Sequence, residues 1–177
     1  MTRSHDLPAG YRLCPLVEED ASAALGIFNE HVETGFAAYP ENPATETFIL
    51  DLMRSAAGYP AFAAKDTVGE LVGFGLLRPY SSVRVFAQTA VTTIFLAPEH
   101  TGRGIGTAIL ERMLSEAERS GITRVLAHVS SRNPRSIAFH RRLGFVECGR
   151  FPGIGRKWGE AFDVVWMVKS LGNPADA

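Results

Sequence analysis

Residues 97–114, "APEHTGRGIGTAILERML", decide the fold. Glycines 102, 104 and 106 stand at the mouth of a segment in which Ile105, Ile109, Met113 and Ala117 recur at helical spacing, with Gly121 placed to end it. Each glycine costs about 0.5–1 kcal/mol in a helix against alanine, and a cap or turn needs only one of them. Just upstream, residues 88–98, "QTAVTTIFLAP", are rich in the β-branched and aromatic residues of a buried strand. A strand that enters a helix through glycines leaves first-turn N–H groups without intrahelical partners, and the helix end carries about half a positive charge. The loop is therefore predicted to hold a phosphate group. A nucleoside-triphosphate loop would place Lys and then Ser or Thr directly after the last glycine, but Thr107 and Ala108 follow Gly106. A dinucleotide fingerprint would have the spacing GxGxxG on the first strand and an acidic residue about 20 positions on. Here the spacing is GxGxG, late in the chain, and the next strand, "VLAHVS", carries no carboxylate.

Outward from this stretch the pattern continues as alternating strands and helices. Residues 11–17 read as a strand and 18–32 as a helix with carboxylates at its start and Leu25, Phe28 and Val32 on one face. Residues 44–57 read as a second helix, with Phe48, Leu52 and Met53 inward and Gly58 and Pro60 closing it. Residues 61–80 read as a hairpin turning at Asp66 to Gly69. After the glycine loop and its helix come the strand 123–130 and a short helix capped by Asn133 and Pro134 and ended by Gly144. Two last strands, 145–151 and 161–171, are joined by a glycine-rich excursion, "PGIGRKWGE". The order β α α β β β α β α β β predicts an α/β layered fold around a mixed sheet. The first ten residues and the tail "GNPADA" read as loose ends around a single domain spanning 1–177, with its core over about 11–171.

Composition sets the outer limits. A net charge of −1 over 177 residues gives no field to hold nucleic acid or an anionic bilayer, so an anion must be captured locally. No run approaches the roughly 18 apolar residues of a membrane span, and "MTRSHDLPAG" has no apolar leader core, which predicts a cytoplasmic protein. Cys14 and Cys148 lie far apart without His companions; they read as reduced core residues, and no metal site is predicted.

"TTIFLAPEHTGRGIGTAILERML" followed by "RNPRSIAFHRRLGF" resembles the acetyl-CoA signature of the GCN5-related N-acetyltransferase (GNAT) superfamily. "FNEHVETGFAAYPENP", "LLRPYSSVRVFAQ" and "GRFPGIGRKWGEAFDVVWM" are similar to its phosphinothricin and methionine sulfoximine N-acetyltransferase branch, although Thr101 stands where Arg or Gln is usual. The resemblance implies a GNAT fold: a mixed central sheet of about seven strands, about four helices on both faces, and a splay between the fourth and fifth strands. It implies that main-chain groups of Ile94, Phe95 and Leu96 pair with the pantetheine arm of acetyl-CoA. It also implies that the amides of Gly102, Arg103, Gly104, Ile105, Gly106 and Thr107 receive the diphosphate, with Arg103 adding a charged contact and Asn133 touching the cofactor arm. A homodimer is implied as well, with "GRKWGEAF" completing the neighbouring pocket.

Acyl transfer to an amine needs a neutral nucleophile, a polarised carbonyl and a proton for the departing thiolate. His140 falls on the inward stripe of its helix with Ser136, Phe139 and Leu143, and the branch carries His at this position; it is the candidate acid or base. Relatives in the branch place Glu where this chain has Val91, and 86–98 contain no carboxylate. Deprotonation is thus left to His140, a water, or a distant group such as Glu33, unless the free amine present at the working pH suffices. Phe36, Tyr39, Tyr80 and Arg84 are the candidate walls of the acceptor pocket, Arg84 by pairing with a carboxylate. No Cys or Ser arrangement calls for an acyl-enzyme, so the expected reaction is direct attack by the amine of a small amino-acid-like acceptor. A peptide N-terminus or a polyamine as acceptor, and a catalytically silent acyl-CoA-binding module, are the competing readings.

Overall fold

The computed structural model describes residues 7–172; the expected loose ends 1–6 and 173–177 lie outside them. The elements are β1 (Arg12–Pro15), α1 (Ala21–Thr34), α2 (Glu46–Arg54), β2 (Ala61–Lys65), β3 (Leu71–Pro79), β4 (Thr89–Leu96), α3 (Ile105–Arg119), β5 (Arg124–Ser130), α4 (Pro134–Arg142), β6 (Val146–Lys157) and β7 (Glu160–Ser170). This is the predicted order. One seven-stranded sheet runs β1-β2-β3-β4-β5-β7-β6, antiparallel except for the β4–β5 pair. Two helices cover each face, because the apolar residues of β3 and β4 alternate between them. Phe74 and Phe95 pack with α1 and Ile49 of α2, whereas Val72, Leu77 and Val125 pack with α3 and the apolar side of α4. The predicted stripe of α3 is the inner one: Ile109, Met113 and Ala117 are fully buried and Ile105 nearly so.

The splay is visible in the register. β4 and β5 pair at Thr89↔Arg124, Ala90↔Val125 and Val91↔Leu126, and there the pairing stops although both strands continue. On its other side β4 exchanges hydrogen bonds with β3 at odd positions, as Ala97 N to Val72 O (2.9 Å) and Tyr80 N to Thr89 O (3.1 Å) show. The alternation of an antiparallel ladder turns the N–H and C=O groups of Ile94 and Leu96 away from β3 and into the gap. One of them is already satisfied. The Leu96 carbonyl accepts a hydrogen bond from His31 Nε2 at 2.7 Å, a contact from α1 that sequence reading missed.

Several local expectations are corrected. Ile49 is the buried residue of α2, while Phe48 is 44% exposed and leans on Phe28, ring centroids 5.3 Å apart. Successive helical residues point about 100° apart, so with Ile49 turned fully inward Phe48 falls at the edge of the buried face. The excursion 152–160 is mostly strand: β6 runs to Lys157 and turns back through Trp158 (φ 50°) and Gly159 (φ 78°) as a two-residue hairpin. A bulge between Phe151 and Gly155 absorbs the Pro152–Gly153 kink. Gly155 lies so close to the Phe162 ring that no side chain fits there. Leu7, expected in a loose end, packs against the main core. The cysteines are free but not core: Cys14 is half-buried and Cys148 exposed. No helix among the described residues is long and apolar enough to cross a membrane.

Candidate active site

The glycine loop has a backbone reason as well as a chemical one. Gly102 (φ 76°) and Gly104 (φ 85°) occupy the left-handed region, and Gly104 is the N-cap residue of α3. Gly106 instead sits where a Cβ would stand 3.0 Å from Leu96 Cδ1, so it lets the first turn of α3 lie against β4. With glycine as the cap, no side chain among the described residues caps the first-turn amides of Ile105, Gly106 and Thr107, and residues 102–104 are exposed. These donors are free for an anion. Arg103 is held beside them, its Nη1 donating to the Tyr11 hydroxyl at 3.0 Å, which in turn bonds His100 Nδ1 at 2.9 Å. Gly104→Ala is expected to lower stability by about 1–2 kcal/mol because of its left-handed φ. Gly26→Ala, in open space inside α1, should raise it by about 0.5–1 kcal/mol. Thermal melts of the two variants moving in the same direction would contradict this account.

Beyond the last β4–β5 pair the gap opens into a cavity of about 210 Å³, lined among others by Tyr39, Arg78, Thr92, His128, Asn133 and His140. A larger, shallower hollow of about 570 Å³ between Cys14, Tyr59 and Arg112 holds neither splayed backbone nor a buried histidine, so the chemistry belongs to the smaller one. Ile94 and Phe95 also line the cavity, and Asn133 does double duty there: its Oδ1 accepts the Ser136 N–H at 3.1 Å and caps α4.

His140 is 3% exposed, with the rings of Phe139 and Phe145 edge-on at 5.1 Å. Its Nδ1 lies 2.8 Å from the Ser136 carbonyl, and since a carbonyl only accepts, Nδ1 carries the hydrogen. The neutral ring then presents a lone pair on Nε2, which is buried and has no hydrogen-bond partner among the described residues. Burial pushes the pKa below the ordinary histidine value, against a smaller opposing pull from the Ser136 carbonyl. At neutral pH the group is an unprotonated base on a residue that lines the cleft. Thr92 Oγ1, the other buried polar atom without a partner that lines this cavity, belongs to the same site.

The acceptor-side candidates divide. Tyr39 lines the cavity; Phe36 lies behind it, in edge contact with Trp158 (5.6 Å) and Phe162 (5.7 Å) and under the Arg132 guanidinium at 4.8 Å. Tyr80 and Arg84 are exposed at and beside a short 3-10 turn, Tyr80 against Phe86 at 5.4 Å, and neither lines the cavity. Glu33 is exposed on α1 and does not line it either. Arg78 and His128 do, and sequence reading missed both. The signal was present: Arg78 is the single charge at the end of a strand whose residues 72–77 are all buried, and His128 interrupts the apolar strand "VLAHVS". Among the described residues no group of three or more potential ligands could hold a metal ion.

Comparison with known proteins agrees with this geometry. The model of the acetyltransferase (GNAT) family matches residues 24–145. An L-methionine sulfoximine/L-methionine sulfone acetyltransferase of Pseudomonas aeruginosa is 30% identical over 155 residues, covering 86% of this chain and 90% of that protein. A phosphinothricin N-acetyltransferase of Streptomyces coelicolor is 26% identical, covering 89% and 94%. The structure of a GNAT superfamily phosphinothricin acetyltransferase from Sinorhizobium meliloti in complex with acetyl-CoA superposes with a TM-score of 0.88 at 28% identity, covering 95% of this chain and 92% of that one. A seven-stranded sheet splayed after Val91, a glycine-capped α3 with open amides, and a family match over the stretch that builds both make this chain a member of the GNAT family of acetyltransferases.

Proposed function

We propose that this enzyme transfers the acetyl group of acetyl-CoA to the primary amine of a small amino-acid-like acceptor by direct attack. The supporting observation is that one cavity is lined by His140, whose Nε2 is unprotonated, and by the guanidinium of Arg78, with no carboxylate among the described residues of its lining. A guanidinium suits the carboxylate of an amino acid and repels a polyamine. A volume of about 210 Å³ is below the roughly 300–1,000 Å³ of sites for drug-sized ligands, as a small acceptor requires. The relatives named for methionine sulfoximine and phosphinothricin support the same class of acceptor.

The residues fit the coenzyme. The open amides of Ile105, Gly106 and Thr107, with Gly102, Arg103 and Gly104, would hold the diphosphate; main-chain groups of Ile94, Phe95 and Leu96, with Asn133, would hold the pantetheine arm. His31 occupies the Leu96 carbonyl, so the Leu96 N–H is the group left to act there. When bound, acetyl-CoA supplies an activated acetyl thioester. His140 Nε2 takes the proton that the amine nitrogen sheds as it attacks and holds it, as imidazolium, for the departing sulfur. Arg78 takes the carboxylate-pairing role that the sequence suggested for Arg84. A homodimer fits the exposed apolar residues of edge strand β6, Phe151 (51%) and Ile154 (64%).

Thiol release from acetyl-CoA over a panel of amino acids, sulfoximines, phosphinothricin, peptides and polyamines tests the reading. Turnover is expected with the amino-acid-like amines; turnover with polyamines or peptides alone would overturn it. Arg78→Gln is expected to raise the acceptor KM about 10–100-fold, the worth of a charged hydrogen bond of roughly 1.5–3 kcal/mol. The kcat should hardly move, and amines without a carboxylate should feel no change in KM.

A further inference from the structure

Acetylation of an ammonium group yields an amide, a thiol and one proton. Two N–H bonds must therefore break, and His140 can carry only the proton destined for sulfur. A second acceptor is needed on the face from which the amine arrives. Val91, 2% exposed and apolar, supplies none. Its neighbours do. Arg78 is the cross-strand partner of Val91 on β3, and Leu126 is its partner on β5, so alternation puts Arg78, Val91, Leu126 and His128 on one face of the sheet, the face covered by α1 and α2. Thr92 and Ile94 alternate onto the other face, where Ile94 packs into the core layer that α3 and α4 cover. The cavity passes through the splay with His140 on one side and His128 on the other.

On the α1–α2 side the Tyr39 hydroxyl lies 3.1 Å from His128 Nδ1. Tyr39 stacks on Phe162 (5.7 Å) and His128 packs against Trp166 (5.1 Å), so both rings are fixed and half-buried, and both line the cavity. We propose that Tyr39 and His128 form a proton relay that deprotonates the acceptor ammonium: its N–H bond breaks as an O–H bond forms on Tyr39 Oη, while the original Tyr39 O–H breaks and an N–H bond forms on His128 Nδ1. The imidazolium then gives this proton to solvent, and His140 handles the second one. Tyr39 is the catalytic residue of the pair, and His128 acts through it. This rests on the N-acetyltransferase reading above.

The electrostatics suit a conduit. Burial pushes the Tyr39 phenol up to about 12, so the oxygen passes a proton on without remaining ionised. The titratable and charged groups facing His128 are Tyr39 and, from β3, Arg78. Burial first and Arg78 second hold its pKa below the ordinary histidine value, which keeps the ring neutral at neutral pH; the relay uses the tautomer with its hydrogen on Nε2, in which Nδ1 accepts from the Tyr39 hydroxyl.

The test is the pH profile of kcat/KM for an amino-acid acceptor, in the wild type and in Tyr39→Phe and His128→Gln. With a relay, the ammonium form is productive, and the wild-type profile is flat between the histidine and amine pKa values. Without it, only free amine reacts, and log(kcat/KM) rises one unit per pH unit up to the amine's pKa. Two pH units below that pKa, where about 1% of the amine is free, both variants are expected to fall about a hundredfold and to converge on wild type in alkali. A plateau surviving in either variant overturns the relay, and so does a wild-type profile of unit slope, which needs no variant to fold. Absence of thiol release by the wild type with any amine, even in alkali, removes the N-acetyltransferase reading itself and the relay with it.

Discussion

His140→Ala is expected to lower kcat about 10²–10⁴-fold, the usual worth of a positioned general acid–base group, while acetyl-CoA binding stays near wild type. The reason lies in how the ring is held. The Ser136 carbonyl fixes the hydrogen on Nδ1, and no other group among the described residues competes for Nε2. The lost function is specific to that nitrogen. His140→Gln, which also offers a side-chain oxygen but no titrating nitrogen, should be equally slow. An unchanged kcat in either variant would reduce His140 to a packing residue between Phe139 and Phe145.

The pH dependence has a definite sign. The folded-state pKa of His140 lies below its unfolded value near 6.5, so below that pH the unfolded chain binds more protons than the native one. Stability from this group is fully present above pH 6.5 and falls as pH drops through that window. His128, shifted the same way by burial and Arg78, adds to the loss. In His140→Ala the acid-side decline in melting temperature should be shallower than in the wild type. Wild-type kcat should fall only below pH 6.5, where Nε2 begins to be occupied.

The order of elements was legible because it rests on local periodicity. The stripe Ile105, Ile109, Met113 and Ala117 predicted the buried face of α3, and Asn133–Pro134 predicted its neighbour's start. What was hidden depends on pairing between distant segments. Which side chains line the cleft follows from where β4 and β5 stop pairing: the polar interruptions at Arg78 and His128 are visible in the sequence, but only the pairing puts them in the cleft, whereas Tyr80 and Arg84, attractive in their loop, do not line it. Glycines 102 and 104 point in the sequence to an anion-holding loop, but their positive φ values require glycine with or without an anion. The excursion after Phe151 looked like loop because Pro152, Gly153 and Gly155 break the strand pattern. A bulge contains them, and the strand resumes to deliver Lys157.

Lys157 is the largest expected stability effect. Its side chain is fully buried, and Nζ donates to the carbonyls of Val32 (2.6 Å), Gly35 (2.6 Å) and Ala38 (2.9 Å), with the Trp158 ring 4.3 Å away. Burial lowers its pKa and Glu41 opposes this, but three carbonyl acceptors require three hydrogens, which only the ammonium carries. One cation thus closes the C-terminal end of α1 and fastens the segment that carries Tyr39. Replacing a buried ion pair by apolar residues is often neutral because both charges go together. Here the three carbonyls belong to the backbone and remain. Lys157→Met is therefore expected to cost about 3 kcal/mol or more, from unsatisfied acceptors worth roughly 1–3 kcal/mol each less the relief of desolvating the ammonium. That corresponds to a melting temperature about 6–12 °C lower for a chain of this size. Lys157→Arg should recover only part of the loss, since a planar fork cannot aim at three converging carbonyls. Below the melting range the acceptor KM should rise with the freed Tyr39 segment, while the KM for acetyl-CoA should stay put, because the loop proposed to hold it opens α3, on the other face of the sheet. A Lys157→Met protein that melts with the wild type would mean that desolvation of the ammonium cancels all three hydrogen bonds, and that the loop is held by the contacts of Phe36 and Tyr39 with Phe162 instead.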